Sequence, residues 1–131
     1  MPTQTFINLP VKDLAKATEF FTRVGFEFDP MLTDGNTTRM ILGDGASAIL
    51  ATEPLFAGFI APRAVADTET TREVIVGVSA ESREEVDDRV DKAVAAGAQS
   101  LGDAQDDGFM YMRGFLDLDG HQWSFVHLSG S

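Results

Sequence analysis

The chain contains no cysteine. That excludes a disulfide framework, a thiol nucleophile and any metal site built on thiolates. Imidazole is almost as scarce, with only His121 and His127, so a histidine-rich metal centre has little to draw on. No apolar run approaches the roughly 20 residues that cross a bilayer, and the opening MPTQTFIN has neither the basic segment nor the apolar stretch of a secretory signal. A cytoplasmic protein with no membrane partner is expected. Positive charge is also in short supply: 10 Lys and Arg stand against 21 Asp and Glu, for a net charge of −11. Such a chain repels phosphate backbones, which argues against a nucleic-acid partner.

The remaining composition is that of a folded domain. Hydrophobic residues make up 44% and charged residues 24% of 131 positions, enough to bury one core and too few for two independent ones. One domain over residues 1–131 is expected. The acidity is uneven, with five basic and seven acidic side chains in residues 1–65 but five and fourteen in residues 66–131.

Periodicity divides the chain into two similar halves. TFINLPV (5–11) alternates as a strand does; Asp13 can then cap a helix in which Leu14, Ala17, Phe20, Phe21 and Val24 recur at helical spacing, closed by Gly25. FEFDP, TTRMIL and ASAILAT read as three strands, separated by turns at Asp34-Gly35-Asn36 and Gly43-Asp44-Gly45. The second half follows the same plan. EVIVGVSA (73–80) reads as a strand, Ser82 and Glu85 make a capping-box pattern, and Val86, Val90 and Val94 supply the apolar stripe of a helix that Gly97 closes. Glu84, Asp87, Asp88 and Asp91 lie off that stripe, on what reads as a solvated face. AQSL, FMYMRGFL and QWSFVH are three further strands, the last two joined by Asp117-Leu118-Asp119-Gly120. The architecture expected is α+β, with two β-α-β-β-β modules over about 3–52 and 73–128 and a connector at 53–72 whose Leu55, Phe56, Phe59 and Ile60 must pack somewhere.

Hydrolase and nucleotide-binding readings have no support, because no G-x-S-x-G, P-loop or G-x-G-x-x-G occurs in a strand-to-helix setting. Asp117 and Asp119 are close enough to suggest paired carboxylates, yet D-x-D-G between strands is ordinary turn chemistry. His121 falls in that turn, and His127 shares a strand face with Trp123 and Phe125. No catalytic residue is assigned.

The paired modules, the INLPVKDLAKATEFFTRVGF opening and the DLDGHQWSF ending together resemble the vicinal oxygen chelate superfamily. It includes glyoxalase I, extradiol dioxygenases, fosfomycin-resistance enzymes and bleomycin-resistance proteins, and the likeness covers nearly the whole chain. The resemblance implies a cupped sheet around a cavity, in which metal-dependent members hold one divalent ion with four His, Glu or Gln side chains, two from each module. Carried over position by position, those ligands fall on Phe6, Ile49, Ile75 and Ser124. Three hydrocarbon side chains and a hydroxyl are a poor set for a divalent cation, so neither metal nor cofactor is expected.

Strand parity places Asn8, Ser47 and Ala51 on the cup face with Phe6 and Ile49, and Gly77, Ser79, Gln122 and Val126 with Ile75 and Ser124. It leaves Val74, Val76 and Val78 beneath the helices. The same reasoning sets Met40, Leu42, Met110, Met112 and Leu116 under the helices, Arg39 on one cup wall, and Tyr111, Arg113 and Phe115 on the other. The function expected is metal-independent binding of a small amphipathic molecule, its acidic end meeting Arg39 and Arg113 and its apolar body lying against Phe6, Ile49, Ile75 and Phe115. The alternatives are a metal-dependent lyase, isomerase or dioxygenase of the glyoxalase I type, and a fold kept for a regulatory role without a ligand. The resemblance also implies a homodimer.

Overall fold

A computed structural model describes residues 3–129, which form two compact units meeting in sequence between Asp67 and Thr68. In the first, β1 (Thr5–Val11) leads into α1 (Leu14–Val24), then β2 (Glu27–Asp29), a 3-10 turn (Pro30–Leu32), β3 (Thr37–Gly43), β4 (Ala46–Thr52) and α2 (Glu53–Ile60). The sheet order is β1-β4-β3-β2, with β1 parallel to β4 and the other pairs antiparallel. The caps of α1 are those the sequence announces: the Asp13 carboxylate accepts from the Lys16 amide at 3.0 Å, and Gly25 takes φ 110°, a conformation that costs a side chain dearly. Ala17, Phe20, Phe21 and Val24 of α1 are buried, as are Leu9, Val11, Met40 and Leu50 of the strands, and α1 packs on β3 and β4. Each large side chain there contributes about 1.5 to 3 kcal/mol of hydrophobic stabilisation.

The second unit holds β5 (Ile75–Ser79), α3 (Arg83–Ala95), β6 (Gln99–Ser100), β7 (Gln105–Asp106), β8 (Met110–Leu116) and β9 (Gln122–Leu128). Its order is β5-β9-β8-β6, β5 parallel to β9, with β7 also pairing β8. The Ser82 hydroxyl accepts from the Glu85 amide at 3.0 Å, while the Glu85 carboxylate reaches back to the Glu81 amide. Val76, Val86, Val90, Phe115, Trp123 and Phe125 fill the core.

Four details depart from the sequence reading. Residues 53–60 of the expected connector are helical and pack on β1 and β4, with Pro54 in the first turn, where its missing N–H costs nothing. Val94 is 41% exposed, because steps of four residues drift about 40° each around a helix and Ala93 takes the inward place. Val74 is 43% exposed, since pairing of β5 with β9 begins only at Ile75 opposite Gln122. The short strand β7 was not foreseen; a bidentate Arg83 guanidinium on the Asp106 carboxylate, at 2.6 and 2.9 Å, anchors it to α3.

Candidate functional site

Each sheet has one face under its helix and a second face, the open face, turned away from that helix. In the first unit the open face carries Phe6 and Asn8 of β1, Ser47, Ile49 and Ala51 of β4, and Arg39 of β3, since the register sets Asn8 beside Ile49 and Ile49 beside Arg39. Phe6 is 48% exposed although aromatic. The Arg39 guanidinium donates to the Ser47 hydroxyl at 2.8 Å, to the Asp29 carboxylate at 3.1 Å and to the Gln4 amide oxygen at 3.4 Å, and its carbon lies 5.5 Å from the centre of the Phe6 ring. Three of its five N–H donors are thus committed, and Asp29 balances its charge.

In the second unit the open face carries Ile75, Gly77 and Ser79 of β5 and Gln122, Ser124 and Val126 of β9. Phe6 and Ile49 stand diagonally, Ile49 two residues beyond the partner of Phe6; Ile75 and Ser124 stand in the same relation. The two modules therefore repeat one register, and the four positions that the resemblance assigns to metal ligands are equivalent pairs on open faces. They do not fit a divalent cation, having neither imidazole nor carboxylate. Among the described residues, no group of three or more His, Asp or Glu side chains is gathered where it could hold a metal ion.

Strand β8 corrects the parity reading. Opposite β9, Arg113 pairs with Phe125 and Phe115 with Trp123, which puts Tyr111, Arg113 and Phe115 on the helix side and Met110, Met112, Gly114 and Leu116 on the open face. Phe115 is fully buried and stacks on Phe125 at 6.3 Å. Arg113 donates to Asp87 at 3.2 Å and to Asp91 at 3.1 Å, one helical turn apart on α3, and the Tyr111 hydroxyl donates to Asp87 at 2.8 Å. That last bond pushes the phenol above its ordinary pKa. The physical reason for the reversal is the pair of aspartates: an arginine half-buried under an acidic helix finds two partners there and none among the methionines. Asp87 and Asp91, read from the sequence as merely solvated, are what hold it. By register the counterpart of Arg39, which faces Ile49, is Gly114, which faces Ser124, so the expected pair of guanidinium groups is not assembled.

Ser124 is 8% exposed, and its side chain makes no hydrogen bond to any described residue. The turn before it is fully used. The Asp117 carboxylate accepts from the amides of Asp119 and His121 and from the Trp123 indole at 2.9 Å, and one ring nitrogen of His127 lies 3.1 Å from the Ala80 carbonyl. These contacts are structural. Strand parity already set Gly77 on this face but missed Gly114 and Met112, although the five-residue link from Leu116 to Gln122 carries the register that reveals them.

The family model for the Glyoxalase/Bleomycin resistance protein/Dioxygenase superfamily matches residues 3–125. A hypothetical protein from S. aureus is 25% identical, superposes with a TM-score of 0.82, and the match covers 97% of this chain and 94% of that one. A glyoxalase/bleomycin resistance protein/dioxygenase family enzyme from Burkholderia phytofirmans is 15% identical, with a TM-score of 0.79 over 97% and 99% of the two chains. The fosfomycin resistance protein FosX from Listeria monocytogenes is 19% identical, with a TM-score of 0.68 over 99% and 96%. No curated protein matches the chain.

Proposed function

The chain belongs to the Glyoxalase/Bleomycin resistance protein/Dioxygenase superfamily, and from that membership we propose that it binds a small amphipathic molecule on the open faces of its sheets without a metal ion. The observation that carries this reading is the content of the four ligand positions: Phe6, Ile49, Ile75 and Ser124 offer contact surface and one hydroxyl where a metalloenzyme needs charged or imidazole donors. Phe6, Asn8, Arg39 and Ile49 supply an aromatic wall, an amide and an ion-paired guanidinium on the first sheet. Ile75 and Ser124 supply the matching positions on the second. A preformed apolar surface with a few placed polar groups is the usual make-up of a small-molecule site.

Elemental analysis of protein purified without chelator should find less than about 0.1 equivalent of zinc, nickel, iron, manganese or cobalt. Stoichiometric metal, lost together with activity on chelation, would replace this reading by a lyase, isomerase or dioxygenase of the glyoxalase I type. In a thermal-shift screen, compounds that stabilise the wild type should lose most of their effect on Arg39→Ala and keep it on Arg113→Ala. Equal loss in both variants would contradict the proposed face.

We propose in addition that the protein is a homodimer. Phe59 on α2 is 61% exposed, an aromatic left in water on a helix whose Leu55, Phe56 and Ile60 are half-buried. Light scattering behind gel filtration should give about twice the 14.2 kDa chain mass, and Phe59→Glu should bring it toward the monomer. Monomeric wild type at tens of micromolar would refute the pairing.

A further inference from the structure

Residues 68–131 carry thirteen acidic and five basic side chains, yet the open face of the sheet they form holds no charge at all. The inward and outward positions of β5, β9 and β8 follow from their register, and every open-face residue on them is Ile, Gly, Ser, Gln, Val, Leu or Met. The short strands agree. Gln99 and Gln105 fall on the open face, whereas Asp106, opposite Tyr111, falls on the other. Random placement of so much charge would not leave a whole sheet face neutral, and the one arginine on these strands, Arg113, is turned away.

The face is also shaped. Gly77, Ser124 and Gly114 lie side by side across β5, β9 and β8, so the row has one small side chain in three places. The neighbouring open-face rows are two residues away along the strands. One ends in Ile75 and Leu116, the other in Met112. At about 3.3 Å per residue they stand roughly 13 Å apart, with the small row as the floor between them. A Cβ at Gly114 would touch the Leu101 side chain at 3.3 Å, so Leu101 closes that end, and Gly77 lies at the other end, on the edge strand of the sheet. On the floor, the Ser124 oxygen leans toward Gly77, lying 3.3 Å from where a Cβ there would be. Ser124 as a residue is 8% exposed and its hydroxyl has no partner among the described residues; since none of their buried side-chain oxygens is left unpartnered, that hydroxyl keeps access to solvent and to a ligand.

We propose that this trough receives the uncharged part of the ligand, a flat apolar group carrying a neutral hydrogen-bonding function such as an amide, hydroxyl or ketone that pairs with Ser124. The assignment rests on the small-molecule reading above and narrows it. A carboxylate or ammonium group would lose its water and meet no counter-charge, at a cost no single hydroxyl offsets. A neutral group gives Ser124 the partner it lacks. Met112 presents a polarizable sulfur and a methyl group to a ring lying between the rows. A shallow trough with a single hydroxyl in its floor suits a planar molecule with one polar function.

Three probes of one shape separate the possibilities: 2-naphthamide, 2-naphthoate and 2-naphthylmethylammonium, titrated calorimetrically at neutral pH into protein labelled at the methionine methyl groups. The amide should bind at least about tenfold more tightly than either ion and shift the methyl signal of Met112, while fully buried Met40 stays put. Ser124→Ala should weaken the amide about three- to tenfold, the worth of one net neutral hydrogen bond. Gly77→Val, which fills the trough on an edge strand and crowds the Ser124 hydroxyl, should abolish its binding in a protein that circular dichroism shows still folded at the titration temperature. Naphthoate or the ammonium binding more tightly than the amide, with Met112 shifted, overturns the neutral assignment and leaves small-molecule binding standing. Amide binding that leaves Met112 unmoved and survives Gly77→Val also overturns it. No saturable binding of any probe to about 1 mM overturns both readings, and a change from dimer to monomer in Gly77→Val assigns the face to a second copy of the chain instead.

Discussion

Gly120→Ala should lower the melting temperature by about 10 °C and the unfolding free energy by about 3 kcal/mol. Gly120 closes the turn between β8 and β9 with φ +83°, where an alanine costs about 1 to 2 kcal/mol in backbone strain alone. The space is also taken. A Cβ at 120 would collide with the Thr68 hydroxyl and lie 2.9 Å from its Cβ, and Thr68 cannot withdraw freely because its hydroxyl donates to the Asp119 carbonyl at 2.7 Å. The Arg72 guanidinium donates to the Gly120 carbonyl from the same side, so the chain ahead of β5 is strapped over the turn. A double-mutant cycle separates the two costs: in a Thr68→Gly background the collision and its hydrogen bond are already gone, and the alanine should cost only the strain. Strictly additive losses, measured by urea titration, would mean that Thr68 does not restrict the turn. The effect bears on function through register, because this turn sets Ser124 opposite Gly114.

How far the sequence disclosed all this can be seen strand by strand. The two modules, the caps at Asp13 and Ser82 and the faces of β1, β3, β4 and β5 were legible because alternation, capping residues and turn glycines act locally and agree with one another. On β8 local pattern misled. FMYMRGFL alternates with apolar residues in both phases: Met110, Met112 and Leu116 look like core, yet so do Tyr111 and Phe115. The choice was settled by tertiary partners, namely Asp87 and Asp91 for Arg113 and Phe125 for Phe115. Cross-strand arithmetic could have decided it. With Trp123 and Phe125 assigned to one face and the link 117–121 joining Leu116 to Gln122, Phe115 must face with Trp123 and Arg113 with Phe125. A slip of one residue moved a guanidinium from one side of the sheet to the other and with it the charge of the ligand expected there.

Asp117→Ala should cost more than the glycine substitution, about 3 to 4 kcal/mol, because one buried carboxylate serves three donors. Water can replace it at the half-buried Asp119 and His121 amides of the turn. It cannot reach the indole N–H of Trp123, which is fully buried at the centre of the second unit's core, and an unpaired donor there bears its whole desolvation cost. Asp117→Asn isolates that difference. Its remaining oxygen can still accept the two turn amides, but its NH2 faces the indole donor, so a loss of about 2 kcal/mol is expected. The pair also reports on charge. Burial pushes the Asp117 carboxyl above the ordinary aspartate value, against the opposing pull of His121 and of the Trp123, Asp119 and His121 hydrogen bonds. A carboxyl whose folded value is raised contributes stability that is fully present below its unfolded value and is lost as the pH climbs through the folded one. Asparagine does not titrate, and every other group is common to both proteins. The gap in melting temperature between wild type and Asp117→Asn should therefore widen on acidification from about pH 7 to about pH 4.5. A gap that narrows instead would show that the three donors hold the charged form more firmly than burial disfavours it.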